Sequence, residues 1–236
     1  MLKGELKRQA ILNEAEQLFF TQGYAETSLE DILSRLHCTK GSFYHYFDSK
    51  QQVLSELCRQ HGQNALTVWR GERYDDTLAA LNGLLYYALP FRTDGARLLS
   101  LLLPLHGQQE GLAMESALLS GLRETLLPEL EAMLVRLREE GVAFWHQDRL
   151  PELVWDAHAA LFERLMACAD RLRSGGAAGD VVAYLEAARF LWERVLDLPF
   201  GSMEIVRAEE ALAAIHAAIK RVNHLPNEKN AQPSAE

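Results

Sequence analysis

Apolar residues return at intervals of three and four along nearly the whole of this 236-residue chain, and nowhere do they alternate one in two. A three-and-four spacing lines one face of a helix, whereas a strand needs a period of two. The fold class that follows is all-α. Ile11, Ala15, Leu18 and Phe19 share the face of a first helix over residues 4–22, which Gly23 ends as a C′ glycine does. Ser28 with Asp31, or Thr27 with Glu30, has capping-box spacing, and Leu29, Ile32, Leu33 and Leu36 mark a short second helix. Residues 36–38 turn. Thr39 caps a third helix from Lys40 to Phe47, and Ser49 caps a fourth that runs to about Trp69. Longer helices are expected over residues 75–89, 94–105, 114–140, 151–173, 180–198 and 203–221. Pro128 is expected to kink or break the third of these.

A chain of this length buries roughly 70% of its unfolded surface, so it needs neither metal nor disulfide to hold a core. The pattern divides it into a helix-turn-helix unit at residues 1–48, a helical body at 49–222 and a polar tail at 223–236, which is expected to be disordered. The apolar share is 48% and the charged share 24%, which excludes a fibre or a wholly disordered chain. No apolar run reaches the roughly 18–20 residues that cross a bilayer. The first residues lack an apolar signal region, and Cys38, Cys58 and Cys168 are odd in number without CxxC spacing. A cytoplasmic setting is expected from this. The net charge of −9 argues against a generally basic nucleic-acid binder. It is unevenly spread, however: residues 1–50 carry six basic groups against seven acidic ones, and the body holds the rest of the negative charge.

Two short helices joined by a tight turn are the layout in which the second helix enters a DNA major groove. That second helix reads Thr39-Lys40-Gly41-Ser42-Phe43-Tyr44-His45-Tyr46-Phe47. Phe43 and Phe47, four apart, should face inward. Lys40, Ser42, Tyr44, His45 and Tyr46 then remain for the other face. They are groups that donate to phosphates and base edges, although either tyrosine could also pack on a neighbouring helix. Gly41 permits close approach of a backbone.

Residues Leu6 to Leu54 resemble the DNA-binding domain of the TetR/AcrR family of bacterial transcriptional regulators. The resemblance rests on Ile11-Leu12, Ala15, Leu18-Phe19, Gly23-Tyr24, Thr27-Ser28, Asp31-Ile32, the whole run from Thr39 to Phe47, and Ser49-Lys50. It implies an all-α homodimer with an N-terminal three-helix reader and a C-terminal bundle for ligand binding and dimerisation. Carried over by position, it implies that Lys40, Gly41, Ser42, Tyr44, His45 and Tyr46 touch DNA. It implies that Thr27, Ser28, Thr39 and Lys50 touch mostly phosphates. The chain departs from the family pattern at Leu36-His37-Cys38, where a small residue and a glycine are usual, and at Gln51, where glutamate is usual.

Other chemistries have little footing. Cys58 and His61 lie three apart with His37-Cys38 near in sequence, but no second paired motif supports zinc, and a buried cysteine is the simpler role. His106, His146 and His158 have no ExxH partner, and Ser100, Ser116 and Ser120 have no nucleophile-elbow context. Neither cofactor nor metal nor catalysis is expected. In the body, Asn82, Tyr86, Tyr87, Phe91, His106, Met114 and Phe162 are the candidates for an effector pocket, with Gln108 and Gln109 as further polar groups and Arg97 and Arg123 placed to meet an acid. Val181, Leu185, Ala188, Trp192 and Val195 form one apolar stripe. Leu212, Ile215, Ile219 and Val222, flanked by alanines, form another, so residues 180–198 and 203–221 are the expected partner surface. The function expected is a ligand-responsive repressor that binds a palindromic operator as a dimer and is released by a small apolar or aromatic effector. The alternative is a helical-bundle enzyme or small-molecule carrier that binds no DNA.

Overall fold

The computed structural model describes residues 3–145 and 149–224. Among them the regular structure is helical: α1 (Lys3–Gln22), α2 (Leu29–Arg35), α3 (Lys40–Tyr44), α4 (Lys50–Gly71), α5 (Thr77–Tyr87), α6 (Ala96–Leu102), α7 (Gln109–Glu139), α8 (Leu150–Arg173), α9 (Gly179–Val195) and α10 (Ala208–Asn223). Short 3₁₀ turns flank α6 at Thr93–Gly95 and Leu103–Leu105. The all-α expectation holds, with differences that have local causes.

The third helix is shorter than its sequence suggests. After Tyr44 the chain tightens, with the Tyr46 N–H donating to the Phe43 carbonyl at 2.8 Å, and this turn still delivers Phe47 into the core. Pro128 does not break α7, which runs unbroken for 31 residues. Pro128 and Glu124 both lie on the exposed side. The Glu124 carbonyl that the proline leaves without a donor therefore faces water. The last helix starts at Ala208 rather than 203. Asn82 holds the preceding segment extended, donating Nδ2 to the Ser202 carbonyl and accepting the Glu204 N–H on Oδ1, each at 3.0 Å. Asn223 closes α10 and His224 caps it. The remainder of the expected tail, and His146, lie outside the described residues.

α1 to α3 close over the reader core of Ile11, Leu12, Ala15, Phe19, Ile32, Leu33, Phe43 and Phe47, and α4 carries the chain from there into the body. α4 lies along α7, the most extensive helix pair of the molecule. The two cross at Gly62 and Gly121. A methyl on Gly62 would come within 3.1 Å of the Leu122 amide nitrogen, and one on Gly121 within 3.0 Å of Arg59 Cα. Glycine lets the two backbones approach this closely without strain.

The two expected partner stripes are largely used inside the subunit. Val181, Leu185 and Trp192 of α9 are buried in the α8–α9 layer, and Ala211, Ala214, Ile215 and Ala218 of α10 are buried in a helix that packs chiefly on α6. Val195 of the first stripe stays exposed, and so do Leu153 on α8, Phe190 and Leu191 on α9, and Phe200 just beyond it.

Candidate nucleic-acid interface and effector groove

Each short helix of the reader is started by a side chain. Ser28 Oγ accepts the Asp31 N–H, and the Asp31 carboxylate accepts the Ser28 N–H at 2.8 Å, a complete capping box. Hydrogen bonds from Ser28 hold the Asp31 carboxyl below the usual carboxylate range. Thr39 caps α3 by accepting the Ser42 N–H, and Ser49 caps α4 by accepting the Gln52 N–H. Between α2 and α3 the chain reverses through a Schellman turn. Cys38 N–H donates to the Leu33 carbonyl and His37 N–H to Ser34, with His37 at φ 47°. The histidine therefore sits in the left-handed conformation for which this position usually carries glycine.

Phe43 and Phe47 point inward and are essentially inaccessible. The opposite face presents Lys40, Gly41, Tyr44 and His45 to solvent, and Tyr44 is 53% exposed. Nothing lies within 4 Å of where a Cβ on Gly41 would sit, so a flat partner can approach the start of α3. Ser42 is half-buried. Tyr46 is half-buried too, with its hydroxyl 3.6 Å from the Cβ position of Gly4 and its ring edge-on to His45, so it leans on the start of α1 more than it projects.

Two residues expected at phosphates are placed otherwise. Thr27 is 1% exposed, and its hydroxyl donates to the Gly23 carbonyl at 2.7 Å. Lys50 is half-buried. Its ammonium lies 4.2 Å above the Tyr24 ring and donates to the Tyr24 and Thr27 carbonyls at 2.7 and 2.8 Å. Desolvation lowers the Lys50 pKa, and burial raises that of Tyr24 to about 12. Both residues are struts that fix the loop between α1 and α2. Their polar atoms are drawn inward because that loop's carbonyls need donors. Ser28 and Thr39 remain at the surface, and Ser28 Oγ is also within 2.7 Å of Asp31.

Sequence reasoning passed over Glu30. Its carboxylate is 2.6 Å from Lys40 Nζ, both side chains being well exposed, and the pairing lowers the Glu30 pKa and raises that of Lys40. The cation at the head of α3 thus carries its own counter-charge. Ten residues separate the two, so only the packing of α2 on α3 reveals the pair.

The expected effector residues do not converge. Phe91, Met114 and Phe162 fill the body core, with the rings of Phe91 and Phe162 6.0 Å apart. Tyr86 donates to Glu210 at 2.8 Å, Tyr87 reaches Glu72, and Asn82 is the clasp described above. Large groups at core positions close the bundle interior instead of lining a chamber. His106 does border a cavity. It stands at one end of a groove of about 550 Å³ between α7 and α8, whose walls include Glu115, Ser116, Arg123 and Trp155. His106 Nδ1 lies 2.8 Å from Glu115 Oε1, and Arg123 meets Asp156 at 3.0 Å, so the arginine does meet an acid, on its own chain. Arg97 instead stacks over the Phe20 ring at 3.8 Å, tying the body to the reader. The groove signal missing from the sequence is Glu115, an acid at a buried helix position nine residues from His106. Among the described residues no three His, Cys, Asp or Glu side chains gather as a metal site, and no helix is long and apolar enough to cross a membrane.

Known proteins match this geometry in two ways. Residues 11–57 match the family described as "Bacterial regulatory proteins, tetR family". An uncharacterized HTH-type transcriptional regulator in the lacX 3′ region of Lactococcus lactis subsp. lactis is 40% identical over 63 residues, 27% of this chain and 30% of that protein. The HTH-type transcriptional repressor DhaR of Mycobacterium sp. strain GP1 is 38% identical over 54 residues, 21% of this chain and 27% of that protein. These alignments thus span less than a third of the relatives' length. A TetR-family transcriptional regulator from Pectobacterium atrosepticum superposes with a TM-score of 0.54 at 17% identity, covering 84% of this chain and 97% of that one, which extends the shared fold through the body. The capped helix-turn-helix of residues 11–57 is thus similar to the tetR family of bacterial regulatory proteins, and the body behind it shares the fold of a TetR-family structure.

Proposed function

We propose that the protein is a homodimeric, effector-responsive transcriptional repressor. The observation that carries this is the outward face of α3: Lys40, Gly41, Tyr44 and His45 stand in solvent on a helix whose other side is locked into the core by Phe43 and Phe47. Such a face offers a cation, a phenol and an imidazole to phosphates and base edges. The repressor assignment is supported by the name of one relative, DhaR.

Two copies of α3 read successive major grooves only when they stand about 34–36 Å apart. The dimer surface consistent with the exposed groups is the α8–α9 face bearing Leu153, Phe190, Leu191 and Val195. Large exposed apolar side chains gathered on one surface mark an association site. α4 links that body to the reader, and its backbone meets α7 at the Gly62–Gly121 crossing. Nearly two turns further toward the reader, Glu56 on α4 takes ion pairs from Arg59 and from Arg8 of α1. An effector that favours a displaced α7 would therefore tilt α4 and change the spacing of the two readers. Inverting a 1:99 population needs about 5.5 kcal/mol of differential binding.

The test begins with selection of bound duplexes from a random pool, followed by gel-shift titration of the recovered palindrome. Tyr44→Ala and Lys40→Ala should each weaken binding by about 1–3 kcal/mol, with the dimer mass unchanged in light scattering. Selection that returns no palindrome, or wild-type affinity in both variants, overturns the proposal.

A further inference from the structure

Arg8, Arg35 and Lys50 of the reader are engaged by the chain itself. Arg8 of α1 pairs with Glu56 of α4 at 3.0 Å, Arg35 of α2 pairs with Glu14 of α1 at 3.3 Å, and Lys50 is turned inward onto loop carbonyls. These cations hold the reader together. Lys40 differs. It opens the outward face of α3, its Nζ lies 2.6 Å from Glu30 Oε1 at the start of α2, and both side chains are 63% exposed. Asp31, beside Glu30, is spent on the Ser28 cap, so the pair presents one ammonium and one carboxylate. Gly41 follows Lys40 with open space at its Cβ position, which lets this end of the helix come close to a partner.

We infer that Lys40 and Glu30 together read one G·C base pair in the major groove, with Glu30 setting the base preference. This rests on the DNA-binding role proposed above and names a base pair that each half of the operator must contain. Phosphate is a poor partner for this lysine. A phosphate oxygen accepting from Nζ would stand within about 5.5 Å of the Glu30 carboxylate, and two negative groups at that distance repel. A base edge carries no net charge and escapes this penalty.

The major-groove edge of G·C sets two acceptors, guanine O6 and N7, beside one donor, the cytosine N4 amino group. O6 and N4 hydrogen-bond to each other, which spaces them by about 2.9 Å. The protein offers the complement at nearly the same spacing, an ammonium donor 2.6 Å from a carboxylate acceptor. An ammonium has three N–H groups, so Nζ can keep one on Glu30 and give the others to O6 and N7, while Glu30 accepts from N4. An A·T pair also places acceptors beside an amino group, but with N7 on one side of it and O4 on the other, so Nζ finds one acceptor there instead of two.

The test retitrates the duplex selected from a random pool, by fluorescence anisotropy with the full chain. Each position of the half-site is changed in turn to the other three base pairs. One position should require G·C and lose about tenfold on replacement. Lys40→Ala and Glu30→Ala should each flatten that preference to about twofold or less, leaving the preferences at other positions as in the parent. A purely structural role would weaken all positions alike. Glu30→Gln keeps an amide oxygen for N4 but removes the charge. It should retain most of the preference and bind a scrambled duplex several-fold more tightly. A G·C preference that survives Glu30→Ala, or a half-site with no position that Lys40→Ala and Glu30→Ala both relax, overturns the inference and leaves the DNA-binding role standing. A pool that returns no palindrome overturns that role and this inference with it.

Discussion

His158 sits at the centre of the α8–α9 layer, 1% exposed, with its ring stacked 5.4 Å from Trp192 and 5.9 Å from Trp155. Neither ring nitrogen has a hydrogen-bond partner among the described residues. Desolvation lowers its pKa from 6.5 to about 3, so the folded protein holds it neutral where the unfolded chain protonates. The sign follows from the depressed value. Stability is fully present above pH 6.5 and falls as the pH drops from there toward 3, because only the unfolded state takes up the proton. Over the 1.5 pH units from 6.5 to 5 the loss from this one group is about 2 kcal/mol. His158→Leu, close in volume, removes the proton site and the two orphan nitrogens together. At pH 7.5 the variant should be as stable as the parent or more so. Between pH 7.5 and 5 the parent should lose about 2 kcal/mol more than the variant. Urea titrations at one fixed protein concentration for parent and variant measure this. His61, lowered to about 4 by burial and then by Arg92, contributes a slope of the same sign to both proteins and cancels in the comparison. Parallel pH profiles for parent and variant would refute the account, because they would mean that the native protein protonates or solvates His158 in place.

Three further outcomes are expected. Lys50→Met leaves the Tyr24 and Thr27 carbonyls without their donor and should cost the protein about 1–3 kcal/mol in thermal or urea melts, whereas a lysine acting only on phosphate would leave stability unchanged. Glu30→Gln frees Lys40 from its counter-charge and should tighten binding to the selected duplex while steepening the log–log salt dependence by about one unit, read by titration at several salt concentrations. His37→Gly relieves a left-handed residue in the turn and should raise stability by about 0.5–1 kcal/mol, checked by urea denaturation.

Local signals carried much of this fold into the sequence. The capping residues Ser28, Thr39 and Ser49 start α2, α3 and α4 where their spacing says they do, because a cap acts within three residues. The inward pair Phe43 and Phe47 was legible from its spacing of four. What escaped was set by contacts between distant segments. Thr27 and Lys50 have the composition of phosphate ligands, but their partners are loop carbonyls on the far side of the reader. Aromatic side chains such as Phe91 and Phe162 read alike whether they fill a core or line a chamber, and volume decided for the core. The apolar stripe of α10 showed that the helix would be covered, not by what, and α6 of the same subunit covers it. Gly62 left a trace, standing on an apolar face with Cys58, Ala65 and Trp69, where a missing side chain points to a close neighbour.

The crossing at Gly62 and Gly121 also constrains how this sequence can drift. Most buried positions tolerate a larger residue when a neighbour shrinks, but here the atom nearest each position belongs to main chain, which cannot be trimmed. A methyl at either site asks the facing backbone to give by a few tenths of an ångström. The joint between the N-terminal helices and the body is therefore a place where growth of a side chain is met by backbone movement instead of by a trimmed neighbour.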